Sequence, residues 1–204
     1  MLKAEDFFTP EQIDILGETY NISLASSTKA INLMLDRIVN INTPSVEVLK
    51  SDDFHFQNLE NALAVEVNYV EGLIGRNLMI LKKEDIRRIL EIMMMTELDP
   101  ATFEIDEIGE SAVCELMNQM MGSAATAMSN FINMAVNIST PKTIPIINEL
   151  LFKSAYFEKG EIIVIVRFNM HIENLIDSEF YNIMKLDFAK DVIRFVELAN
   201  ASEK

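Results

Sequence analysis

The 204-residue sequence has no tryptophan, one cysteine, two histidines, six glycines, and only 17 lysines and arginines against 32 aspartates and glutamates. Each shortage excludes something. Cys114 alone cannot close an intramolecular disulfide, so nothing calls for an oxidising compartment, and a cytoplasmic setting is expected. His55 and His171 stand far apart with no Cys or second His at ligand spacing, so no metal site is expected. The glycines form neither a P-loop nor a dinucleotide-binding fingerprint. A net charge of −15 with no Lys/Arg-rich run argues against DNA and RNA, whose phosphates are held by clustered cations. No apolar run approaches the roughly 20 residues of a membrane span, and Glu5 and Asp6 interrupt what would be a signal-peptide core. Neither secretion nor membrane insertion is indicated.

What is abundant is apolar: half of all residues, including 13 methionines, enough to bury a core in one domain or two small ones. Met93 to Met95, and Met117, Met120 and Met121, suit irregular gaps between helices. Thr9, Pro10 and Gln12 spell a capping box with proline at the first helical position. Ile13, Leu16, Tyr20, Leu24, Ile31 and Leu35 then recur at helical spacing, predicting a helix to about Ile38. Val39 to Thr43 alternates and reads as a short strand stopped near Pro44. Further strands are expected at Ala62–Val70 and Leu73–Leu81, and an amphipathic helix at Lys82–Met95.

The order then returns. A shift of 97 residues places Glu18 on Glu115, Asn21 on Asn118, Ser26 on Ser123, Ala30 on Ala127 and Thr43-Pro44 on Thr140-Pro141. Gly160–Ile172 repeats the role of the Ala62–Val70 strand, and Asp191–Leu198 echoes Asp85–Ile92 at a shift of 106, so the second copy has gained nine residues between the two anchors. Each copy is small for a core of its own. The expected fold is therefore one α/β domain of the two-layer α+β type spanning residues 1–204. Its two repeats, about 8–100 and 105–200, would share a mainly antiparallel sheet packed against long helices, with a pseudo-two-fold axis.

The copies retain polar residues most clearly. Asp14, Glu18 and Asn21 lie at i, i+4 and i+7 and form one stripe on a helix, and Ser111, Glu115 and Asn118 have the same spacing. A proline follows each asparagine by 23 residues, Pro44 and Pro141. Polar residues on one helix are ordinarily a solvated face. Two such stripes at one spacing, among residues that have otherwise drifted, are not explained by that.

At these residues the sequence resembles the CheC/FliY/CheX family of bacterial chemotaxis phosphatases. The family motif, Asp or Ser, then Glu, Asn and a distant Pro, stands here as Asp14–Glu18–Asn21–Pro44 and as Ser111–Glu115–Asn118–Pro141. Two complete motifs are similar to the CheC and FliY branches. The resemblance leaves open a CheC-like protein or the middle domain of a FliY-like switch protein. It implies hydrolysis of the aspartyl phosphate of the response regulator CheY, with Asn21 and Asn118 aiming a water and Glu18 and Glu115 docking the partner. Asp14, Ser111, Pro44 and Pro141 would support the motif. No cofactor of the chain's own is implied, since Mg²⁺ would be carried by the phosphorylated partner. CheD and flagellar switch proteins are further partners it suggests, and the flagellar motor switch a place of action. Tyr20 and Met117 stand before the asparagines where many family members carry glycine, which would narrow access.

Other chemistries fit poorly. Ser111 has no nearby histidine for a triad, and Cys114 reads as a buried helix residue. Asp14 and Glu18 on one exposed turn would hold a cation only weakly. The rival expectation is a non-catalytic interaction module of the motor switch or chemotaxis complex that binds CheY or CheD, with Asp187–Leu198 as a docking helix.

Overall fold

The computed structural model describes residues 2–55 and 62–202, without the side chains of residues 43 and 44. Helix α1 (Pro10–Leu35) begins where the capping box requires: Thr9 Oγ1 accepts from Gln12 N, and Gln12 Oε1 accepts from Thr9 N, both at 3.2 Å. It stops short of Ile38 because Asp36 takes a left-handed conformation, φ 48° and ψ 43°, which ends the helix. Strands β1 (Val39–Lys50), β2 (Ala62–Glu71) and β3 (Leu73–Lys82) follow, then α2 (Lys83–Met93) and α3 (Glu107–Ile132). After α3 come β4 (Asn137–Ile138), β5 (Lys142–Pro145), α4 (Glu149–Tyr156), β6 (Ile162–Ile172), β7 (Ile176–Lys185) and α5 (Leu186–Ser202). Sequence patterning had not marked β7 or α4, the latter lying where the second copy carries its extra residues.

Among the described residues the strands form one seven-stranded sheet of order β1-β6-β7-β3-β2-β4, with β5 also on β2, and every pairing is antiparallel. The order is palindromic. The first strand of one half pairs with the hairpin of the other, β1 on β6 and β4–β5 on β2, and the two hairpins meet at β3–β7. Side chains alternate between two apolar clusters, so Val164, Val166 and Phe168 of β6 join Leu16, Leu24, Val113 and Val192 under the helices. Ile163 and Ile165 turn to the other face, against Phe54, Ile146 and Phe152 of α4. With both faces covered, these strands read as continuous apolar runs instead of alternating ones. α5 spends its apolar face, Phe188, Val192, Ile193 and Val196, on the core and leaves little of it for docking. Among the described residues no helix is long and apolar enough to cross a membrane.

Proline does not stop β1, as the sequence pattern had suggested. Among the described residues β1 is an edge strand paired only with β6, and its register shifts between Asn42, opposite Asn169, and Ser45, opposite Arg167. Two residues, 43 and 44, thus oppose the single Phe168, which is a β-bulge. A residue with no N–H is tolerated at an edge and at a bulge, and this position is both.

Candidate functional site

The bulge occurs twice. On the other edge, Ile138 pairs with Tyr69 and Lys142 with Glu66, so Ser139, Thr140 and Pro141 oppose only Val67 and Asn68. Each copy therefore carries one unmatched residue at its motif proline, within β1 in the first and between β4 and β5 in the second. The sequence signal was the spacing itself, and the structure supplies its physical meaning: a bulge re-aims the chain locally, here next to the stripe. The side chain of Pro44 lies outside the described residues; Pro141 is buried.

Asp14, Glu18 and Asn21 are all exposed on α1. They border an open hollow whose other walls are Ile13, Gly17, Asn42 and Val46, between α1 and β1. Ser111, Glu115 and Asn118 are exposed on α3, beside β4–β5. The two stripes thus belong to opposite edges of the sheet and form two sites, not one. Among the described residues, the side chains of Asp14, Glu18, Asn21, Ser111 and Asn118 have no hydrogen-bond partner within the chain, whereas Glu115 Oε1 accepts from Gln119 Nε2 at 2.8 Å. Unpaired polar groups held on rigid helices are available to a partner or to water.

Tyr20 and Met117 do not narrow either site. They are 2% and 1% exposed, turned about 100° away from the asparagine that follows each and into the core. The Tyr20 hydroxyl donates to Asn77 Oδ1 at 3.4 Å and lies 3.3 Å from Met184 Sδ. Burial, with Tyr69 nearby, pushes its pKa well above the ordinary value, so it remains a protonated structural group. Cys114 sits half-buried beneath the second stripe, its thiol donating to the Pro141 carbonyl at 3.5 Å. Partial burial raises the thiol pKa, which keeps it protonated and a poor nucleophile. Among the described residues no group of three or more His, Cys, Asp or Glu could hold a metal ion. His55 pairs instead with Glu149 at 3.2 Å.

Sequence spacing found the stripes but missed Gly17, Asn42 and Val46, which complete the first hollow. Asn42 carried a faint signal, since it immediately precedes the repeated Thr-Pro step.

The model of the CheC-like family matches residues 108–144, which contain the second stripe and its proline. The flagellar motor switch phosphatase FliY of Bacillus subtilis (strain 168) is 38% identical over 198 residues, covering 94% of this chain and 50% of that protein. The chain therefore spans about half the length of this curated relative. The crystal structure of Thermotoga maritima FliY superposes with a TM-score of 0.82 at 33% identity, covering 94% of this chain and 98% of that one. The FliM middle domain of H. pylori gives a TM-score of 0.69 at 11% identity, covering 92% and 99% of the two chains, and shares the fold alone.

Proposed function

Because the chain belongs to the CheC/FliY/CheX family, we propose that it hydrolyses the aspartyl phosphate of the response regulator CheY and acts at the flagellar motor switch. The observation that carries this is the pair of exposed Glu–Asn stripes, each beside a strand bulged at its motif proline. The fold decides nothing by itself, since function lives in the site and FliM shares the architecture.

An acyl phosphate is already reactive, so the enzyme needs to place a water in line with the phosphorus. The carboxamide of Asn21 or Asn118 offers an acceptor and a donor on one planar group, enough to accept a hydrogen bond from the water and steer its lone pair toward phosphorus, the water's protons leaving with the phosphate. The water oxygen bonds to phosphorus, the P–O bond to the partner's aspartate breaks, and inorganic phosphate and a free carboxylate result. Glu18 and Glu115, three residues before each asparagine, stand one turn away to pair with a cation beside the partner's phosphorylated aspartate. Mg²⁺ belongs to the phosphorylated partner, as part of the substrate.

The test is loss of phosphate from phosphorylated CheY with Mg²⁺ present. The chain should accelerate it well above spontaneous decay, and the double variant Asn21→Ala/Asn118→Ala should lose roughly 10²-fold of that acceleration while keeping its fold, both side chains being exposed. A fully active double variant would place the chemistry elsewhere. No acceleration by the parent chain, with CheY or CheD still bound, would favour a non-catalytic switch module.

A further inference from the structure

The two stripes share a spacing but not a surrounding. Shifted by 97 residues, Ile13, Gly17, Ile22 and Val46 of the first correspond to Glu110, Cys114, Gln119 and Thr143 of the second. At the first, the hollow between α1 and β1 is open: a Cβ built on Gly17 would meet only Val46 Cγ2, at 4.0 Å. Glu18 has no hydrogen-bond partner among the described residues, and its neighbour one turn on is the apolar Ile22. At the second, three contacts occupy the equivalent space. The Cys114 thiol reaches the Pro141 carbonyl, Thr143 Oγ1 donates to the Glu110 carboxylate, and Gln119 holds Glu115. The first stripe thus borders an open hollow, whereas at the second the corresponding side chains are tied to one another and to the strand.

Resting on the phosphatase assignment above, we propose that the sites are unequal because of Gly17 and Cys114: the first seats the phosphorylated partner more tightly, taking one of its long cationic side chains into the hollow. The lining has the matching chemistry. Asp14 and Glu18 supply the acidic rim for the charge, and Ile13 and Val46 the apolar flanks for an alkyl stem, with room over Gly17 because no side chain stands there. At the second site a partner must first displace Gln119 from Glu115 and cannot enter past the thiol, so part of the binding free energy is spent on rearrangement. Gly17 and Cys114 act here as specificity-determining residues and touch no reacting atom.

Each site can be read alone, the first in Asn118→Ala and the second in Asn21→Ala. The first should show the lower KM for phosphorylated CheY. Adding Gly17→Cys to the Asn118→Ala chain should raise its KM several-fold with kcat little changed, and adding Cys114→Gly to the Asn21→Ala chain should lower KM. Val46→Thr with Ile13→Glu, which installs the second site's bridge in the first, is the independent variant should Gly17→Cys fold poorly, and should also raise KM. Equal KM values at the two sites, or a KM indifferent to these substitutions, would overturn the inequality while leaving the phosphatase assignment intact. If no chain accelerates phosphate loss, that assignment fails. The inequality is then decided by calorimetric binding of CheY carrying beryllofluoride as the phosphoryl mimic: several-fold weaker binding by the Gly17→Cys chain upholds it, and unchanged or absent binding overturns it.

Discussion

At the residue scale, the first site keeps a cost built into its helix. Gly17 sits inside α1, where glycine loses more backbone freedom on folding than alanine and destabilises a helix by roughly 0.5–1 kcal/mol. A methyl group there meets nothing closer than Val46 Cγ2 at 4.0 Å, so packing gives no reason for the glycine. Gly17→Ala should therefore stabilise the chain by about 0.5–1 kcal/mol, read from the midpoint of denaturant unfolding at unchanged m-value. A destabilised variant would show that the backbone at this point needs glycine for a reason other than space. The stripe residues themselves were legible from spacing alone, because helical geometry is local. Gly17 was not, since its role depends on a strand that approaches only in the folded chain.

At the element scale, α2 and the turn after it are held by one guanidinium. Arg87 is largely buried and donates to Glu84 at 2.7 and 2.9 Å, to Glu91, and to the Leu98 carbonyl at 2.7 Å. Glu91 in turn accepts from Leu98 N at 3.0 Å, so the chain is tied back onto the helix it has just left. Arg87→Ala should cost roughly 1.5–3 kcal/mol, the range for hydrogen bonds to charged groups, because it strands the Leu98 carbonyl, leaves Glu91 without its cation and leaves Glu84 with Arg88 alone. Thermal unfolding measures it. Hydrogen bonding from Arg87, then from Arg88, holds the Glu84 carboxyl down at about 2. Its folded pKa lies below the unfolded value, so its contribution is full above about pH 4.5 and is lost as pH falls toward 2. Stability measured over that window should fall less steeply in Glu84→Gln than in the parent chain, and an unchanged slope would exclude this carboxylate as a source of acid sensitivity. The same scale shows why the Val39–Lys50 strand was underestimated. Proline stops a strand only where its missing N–H is needed, and whether β1 lies at an edge is settled by which strands pair with it.

At the scale of the whole molecule, the sheet interleaves the halves. β1 lies on β6, β3 on β7, and β4–β5 on β2, so neither half can keep its outer strand paired without the other. Both apolar clusters draw on residues from each half as well. Unfolding should therefore be a single cooperative transition in which calorimetric and van't Hoff enthalpies agree. Two resolved transitions would mean that the halves hold separate cores. The arrangement also sets the sites apart: each stripe lies on a helix beside the sheet edge formed by its own half's outer strand, so each has its own approach to solvent.

The sequence by itself determined the long helices, most of the strands, the duplication and the two Glu–Asn stripes, because capping, periodicity and spacing are properties of residues near one another in the chain. It suggested that Tyr20 and Met117 narrow the sites, and their burial in the folded chain shows instead that they point away from the asparagines they precede. The tertiary structure alone decided that the halves exchange strands, that each motif proline marks an edge bulge, and that one stripe opens on a hollow while the other is bridged. Each of these depends on segments such as Val39–Lys50 and Ile162–Ile172, or α3 and β5, coming together. What lies between two elements is fixed by the side chains that both contribute, and no local pattern contains that information.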